Sequence, residues 1–174
     1  MRRAGRPAGP APARPQRGLW PWPRRSEAAS LLAVERMAIE QTLLIIKPDA
    51  VARGAVGQII GRLEAEGFAL RQLRLVRLGR DEAERFYAVH RDRPFFAGLI
   101  QFMTSGPAIP MLLEREDAVA HLRRFIGVTD SARAGAGTIR GDFGTDVQRN
   151  AVHASDCPEN AGREAVFFFG AQAG

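Results

Sequence analysis

Reactive side chains concentrate in the heptapeptide Asn150-Ala151-Val152-His153-Ala154-Ser155-Asp156, where a histidine stands between small residues and precedes a hydroxyl and a carboxylate. Histidine has the side-chain pKa nearest neutrality, so its neutral imidazole can attack phosphorus at physiological pH. Small neighbours leave the ring reachable. Two other readings compete: a hydrogen-bonded structural histidine, and a hydrolytic triad of His153, Ser155 and Asp156. Against the triad, there is no G-x-S-x-G nucleophile elbow, and near neighbours in sequence seldom form that geometry. A second signal is Lys47, because the 25 basic residues comprise 24 arginines and this one lysine. A compact ammonium on a flexible stem makes contacts a planar guanidinium does not, so a site needing the former resists exchange; chance survival is the alternative.

Composition bounds what surrounds these residues. The chain of 174 residues, 45% hydrophobic, is long enough for one domain with a core. No run of 18 apolar residues occurs, and the single Cys157 has no partner for an intramolecular disulfide, so a soluble, cytoplasmic protein is expected. The net charge of +6 does not mark a nucleic-acid-binding fold, because all of it lies in residues 1–36, with eight Arg and two Glu. Residues 37–174 are neutral, with 17 basic and 17 acidic side chains. The first 36 residues also hold more than half of the prolines, a composition that does not fold. They read as a disordered basic arm, a targeting segment, or translated sequence upstream of a true start at Met37, the last being favoured. An arm-driven nucleic-acid binder is the rival function, and its affinity would fall steeply with salt.

The elements that must position the site follow from periodicity. Thr42-Leu43-Leu44-Ile45-Ile46 reads as a strand buried on both faces and ended by Pro48, which leaves Lys47 at a cleft. Val56, Ile59, Ile60 and Leu63 have helical spacing, with Gly67 as a C-terminal stop and Gly57 and Gly61 as close-packing positions. Phe68 to Leu78 reads as a strand with a bulge. Short helices follow, one opened by Asp81 and Glu82 and one from Pro94 to Met103; His90 between them is taken as a surface residue. Ala108 to Leu113 reads as a strand despite Pro110, which would suit an edge or its margin. Asp117 opens a helix bearing His121, Arg123 and Arg124. Residues 127–149 hold five glycines and no sustained period, and long loops of this kind are usually functional. Thr129, Arg140 and Asp142 within it suit a polyphosphate with its metal. A helix from Pro158 and a final buried strand, 165–169, complete the pattern. The alternation predicts an α+β ferredoxin-like βαββαβ sandwich: a four-stranded antiparallel sheet covered by helices, with 42–46 and 165–169 as its inner strands.

Residues 37–174 strongly resemble the nucleoside diphosphate kinases. Four motifs carry the resemblance: Thr42 through Ala50, Phe86-Tyr87 through Arg93-Pro94-Phe95-Phe96, Gly137-Thr138-Ile139-Arg140-Gly141-Asp142-Phe143, and the heptapeptide. It implies a ping-pong transfer of the γ-phosphoryl of a nucleoside triphosphate to His153 and then to a nucleoside diphosphate, with broad base specificity. By the same resemblance Lys47 and Asn150 bind the sugar hydroxyls, with Lys47 also near the phosphoryl. Arg123, Thr129 and Arg140 hold the phosphates, and Phe95 and Val147 enclose the base. Tyr87 lines the site, Ser155 and Glu164 support the histidine, and Mg2+ arrives on the nucleotide with no protein metal site. A homo-oligomer, tetramer or hexamer, is implied, with no membrane or nucleic-acid partner.

Overall fold

The structure is a computed structural model and describes residues 39–170. The expectations for residues 1–36 and for Met37 lie outside that span. The elements are β1 (Ile39–Ile46), α1 (Pro48–Ala52), α2 (Val56–Ala65), β2 (Ala69–Leu73), α3 (Arg80–Phe86), α4 (Phe96–Met103), β3 (Ile109–Glu116), α5 (Ala118–Ile126), α6 (Ile139–Phe143), β4 (Val152–Ala154) and α7 (Pro158–Phe169). One-turn 3-10 helices occupy Ala88–His90 and Ser131–Arg133. The four strands form one antiparallel sheet in the order β2-β3-β1-β4, the ferredoxin-like arrangement expected.

The apolar run of β1 has no alternation because helices cover both faces of the sheet. Leu44 and Ile46 point into a core with Ile59 and Leu63 of α2, Leu122 and Ile126 of α5, and Ile139 of α6. Leu43 and Ile45 point the other way, against Ala83 of α3, Ile100 and Met103 of α4, and Ala165, Phe168 and Phe169 of α7. Period-two alternation therefore feeds two cores from one strand. The second strand is shorter than Phe68 to Leu78: β2 ends at Leu73, its register shift falls between Leu70 and Gln72, and Val76 forms only an isolated bridge with Ala108.

Three expectations are corrected. The segment 165–169 is the end of helix α7, not a strand: Ala161, Ala165, Phe168 and Phe169 are buried at helical spacing while Val166 and Phe167 are exposed. A five-residue apolar run is too short to reveal its own period. The fourth strand is instead β4, inside the heptapeptide, so the two inner strands are β1 and β3. Pro110 accordingly lies in an inner strand. Its carbonyl accepts from the Arg74 amide, on the β2 side. Amide and carbonyl of one residue face the same neighbour in an antiparallel ladder, so the missing N–H falls on that side, beyond the last paired residue of β2 and not toward β1. Finally, Gly57 and Gly61 do not mark close packing, since a Cβ at either would meet nothing within 4 Å.

Candidate active site

Alternation along β4 aims the histidine. Val152 and Ala154 enter the core beneath α2 and α5, so His153 between them faces the opposite side of the sheet, opposite Ile45 of β1. There the ring meets Phe86 at 5.5 Å and Tyr87 at 6.0 Å, both edge-on, and its Nε2 lies 3.0 Å from Glu164 Oε2. Ser155 Oγ donates to the same carboxylate oxygen at 2.6 Å. The His153 side chain is 22% exposed, and its Nδ1 makes no hydrogen bond among the described residues. Asp156 is engaged by Asn160 and Ser155 by Glu164, so neither serves His153 as a triad member. Burial drives the Glu164 pKa upward, but the hydrogen bond and charge of His153 and the Ser155 hydroxyl outweigh it and leave the carboxyl below its ordinary value. Burial, followed by the Glu164 charge, pushes the Tyr87 phenol well up, and its Oη has no partner among the described residues.

A strained turn leads into β4. Ala151 is fully buried with φ 66°, a left-handed conformation uncommon outside glycine. Its carbonyl accepts from the Lys47 amide at 2.8 Å, its amide donates to Asp49 Oδ2 at 3.1 Å, and Val152 N donates back to Asn150 O at 2.7 Å. These bonds over-determine the turn and hold it in place. The turn brings Asn150 beside the end of β1, where Lys47 Nζ donates to Asn150 Oδ1 at 2.6 Å and lies 3.4 Å from Gln148 O. Asn150 Nδ2 donates in turn to Thr129 O at 2.8 Å and Val147 O at 3.0 Å. Burial above all, and the Arg140 charge next, pull the Lys47 pKa down to about 8 against the opposing pull of Asp49 and Asp146.

The phosphate-type groups converge one layer out. Arg140 on α6 is buried and donates to Gly127 O at 3.0 Å and Val152 O at 3.1 Å, one residue from the histidine, while its Nε has no partner among the described residues. Burial and the Arg123 charge lower it to about 10, so it stays protonated at neutral pH. Arg123 of α5, Thr129 and Arg140 line one cavity of about 220 Å3. The loop that carries Arg140 is compact because glycines permit it: a Cβ at Gly141 would fall 2.2 Å from Gly135 O, and one at Gly144 would fall 1.9 Å from Ser131 Oγ. Arg62 of α2 pins that loop from outside, pairing with Asp142 at 2.7 Å, bonding Gly137 O, and packing on Phe125 and Phe143.

Phe95 and Val147, at 55% and 61% exposed, keep apolar surface free. Phe95 lies 5.7 Å from the ring of His90, which stacks on Tyr87. All eleven sequence-derived site residues thus belong to one continuous region. Sequence reasoning missed Phe86, Asp49 and Gln148, and it took the half-buried His90 for a surface residue. Phe86 and His90 lie beside Tyr87 within one of the motifs, and Asp49 lies two residues after Lys47 within another, so adjacency was the available signal.

Fold and cleft together define an α+β sandwich whose ammonium, guanidiniums and hydroxyls suit a phosphate-bearing ligand beside a reachable imidazole. The family model described as nucleoside diphosphate kinase matches residues 40–173. A nucleoside diphosphate kinase of Anaeromyxobacter dehalogenans is 56% identical over 133 residues, 76% of this chain and 90% of the relative. That of Staphylothermus marinus is 52% identical, over 76% of this chain and 94% of its own length. Among solved structures, the Aquifex aeolicus nucleoside diphosphate kinase superposes with a TM-score of 0.76 at 46% identity, covering 78% of this chain and 99% of that one. The Halobacterium salinarum enzyme, solved in complex with CDP, gives 0.75 at 40% identity, over 78% of this chain and 91% of its own. The chain belongs to the nucleoside diphosphate kinase family, enzymes that transfer a phosphoryl group between nucleotides.

Proposed function

We propose that the transfer runs in two half-reactions through a phosphohistidine at His153, on its Nδ1. The observation that carries this is the Nε2 contact with Glu164. A carboxylate there holds the proton on Nε2 and leaves the Nδ1 lone pair for chemistry. In the first half-reaction that lone pair attacks the γ-phosphorus, the bond to the β-phosphate oxygen breaks, and the nucleoside diphosphate leaves with the electron pair. In the second, a terminal oxygen of another nucleoside diphosphate attacks the phosphorus, the N–P bond breaks, and the lone pair returns to Nδ1.

Phosphoryl transfer spreads charge over the equatorial oxygens, so catalysis is mostly positioning and electrostatics. Arg123, Thr129 and Arg140 bind the phosphates, supported by their shared cavity and the unpartnered Arg140 Nε. Lys47 and Asn150, already bonded to each other, take the sugar hydroxyls, and the Lys47 ammonium adds charge near the phosphoryl. Phe95 and Val147 enclose the base; a stacked base is worth about 1–3 kcal/mol whatever its identity, which gives broad nucleotide specificity. Tyr87 packs against the imidazole. Mg2+ would supply further charge neutralisation on the phosphates; the cavity of Arg123, Thr129 and Arg140 has no carboxylate in its lining, which fits an ion that enters on the nucleotide.

We further propose a cytoplasmic homo-oligomer, tetramer or hexamer. No described helix is long and apolar enough to cross a membrane. The outer strand β2 and its continuation expose Leu70, Leu73 and Leu75, apolar groups that a second copy would cover. The defining experiment is incubation with γ-labelled ATP and Mg2+. Label that is acid-labile, base-stable and lost in His153→Ala is expected, and equal labelling of that variant would falsify the mechanism.

A further inference from the structure

The proposed base slot has two walls on separate parts of the chain. Phe95 precedes α4 as its N-terminal cap residue, and Val147 sits on the segment between α6 and β4. The backbone of the Val147 segment is fixed from the sheet side. Asn150 Nδ2 holds Val147 O, Lys47 Nζ reaches Gln148 O, and Asp146 Oδ1 accepts from the amides of Gln148 and Arg149 at 2.8 and 2.6 Å. The α4 end is anchored deeper in its helix, by Ile100, Phe102 and Met103, while Phe95 itself is exposed. One bond crosses between the walls: Gln148 Nε2 donates to Gly98 O at 2.8 Å, within the first turn of α4. The Gln148 amide lies directly over Gly98, where a Cβ would be 3.7 Å from its Oε1, an ordinary contact, so the bond itself and not the glycine makes the tie.

Resting on the assignment of Phe95 and Val147 to the base, we infer that Gln148 is a positioning residue that sets the width of the base slot by tying its two walls together. It touches no reacting atom. Its contribution is to keep the Phe95 end of α4 at a fixed distance from Val147 before the nucleotide arrives, so less ordering is left for binding. Without the tie, each nucleotide must order the end of α4 itself, whereas an acceptor with no base gains nothing from the slot.

The test uses the full chain with Gln148→Ala and with Gln148→Glu, which keeps length but loses the donor. ADP, GDP, CDP and UDP serve as acceptors, and ribose 5-diphosphate serves as an acceptor without a base. Both variants should raise KM about five-fold for every nucleotide, as expected for one lost hydrogen bond, and leave KM for ribose 5-diphosphate unchanged. In a Phe95→Ala background the Gln148 effect should vanish, because the two residues act as one unit. A nucleotide KM that stays at its original value, or a rise shared equally by ribose 5-diphosphate, overturns the inference, as does failure of both variants to fold. Phe95→Ala alone separates the levels. If it raises nucleotide KM while the Gln148 variants do not, the tie is wrong and the slot stands; if it changes nothing, the slot itself is wrong.

Discussion

Replacing Glu164 with alanine removes the oxygen on which His153 Nε2 and Ser155 Oγ converge. A hydrogen bond to a charged group is worth about 1.5–3 kcal/mol, which corresponds to about 10- to 150-fold in the rate of histidine phosphorylation if the whole of it orients the ring. The tautomer adds a qualitative effect: without the carboxylate, the proton is free to reside on Nδ1, where it blocks attack. Glu164→Gln is the discriminating control. Both bonds in the structure go to a single oxygen, Oε2, so a glutamine carbonyl can accept both and keep the geometry while losing the charge. Charge-assisted bonds are about twice as strong as neutral ones, so this variant should lose about half as much free energy, or about 3- to 12-fold. Single-turnover quench-flow with γ-labelled ATP reads the step directly. An alanine variant slowed by less than about three-fold, or a glutamine variant as slow as alanine, would refute the account of how the imidazole is held. Melting measurements complete the picture. The Glu164 pKa lies below its ordinary value, so its stabilisation is present above the unfolded carboxyl range and is lost as pH falls through the depressed folded value.

Four further outcomes follow from the packing and the charges. With Lys47 lowered to about 8, nucleotide kcat/KM should fall as pH rises through about 8; a profile flat to about pH 10 would contradict this. The same shift means the unfolded chain binds more protons between about 8 and 10.5, so this residue's contribution makes stability rise with pH across that window. Arg62→Ala loses the Asp142 pair, the Gly137 bond and two aromatic contacts, which should lower the melting midpoint by about 4–8 °C and weaken nucleotide binding through the Arg140 loop. Leu122→Ala, at a fully buried position of α5, should cost about 2–5 kcal/mol in denaturant titration without changing KM of the folded fraction.

The chain's own residues determined a good deal. β1 was legible because four consecutive apolar residues, Leu43 to Ile46, ended at Lys47-Pro48, and the ladder has no donor to continue with at a proline. α2 was legible because Ile59 and Leu63 keep helical spacing, and the reactive cluster was legible because its motifs are local strings. Tertiary structure decided what short segments become. Val152–Ala154 is a strand because β1 offers it an edge, and 165–169 is helical because Ala161, four residues earlier, shares its buried stripe. Pro110 reads as an edge residue until the side of the ladder that its missing amide faces is known. The bond between Gln148 and Gly98 spans fifty residues, and Lys47 meets Asn150 across 103, so no window of sequence contains either pair. Local pattern fixes which backbone conformation is favourable nearby, whereas the partners of a side chain are set by packing between segments that the chain itself keeps far apart.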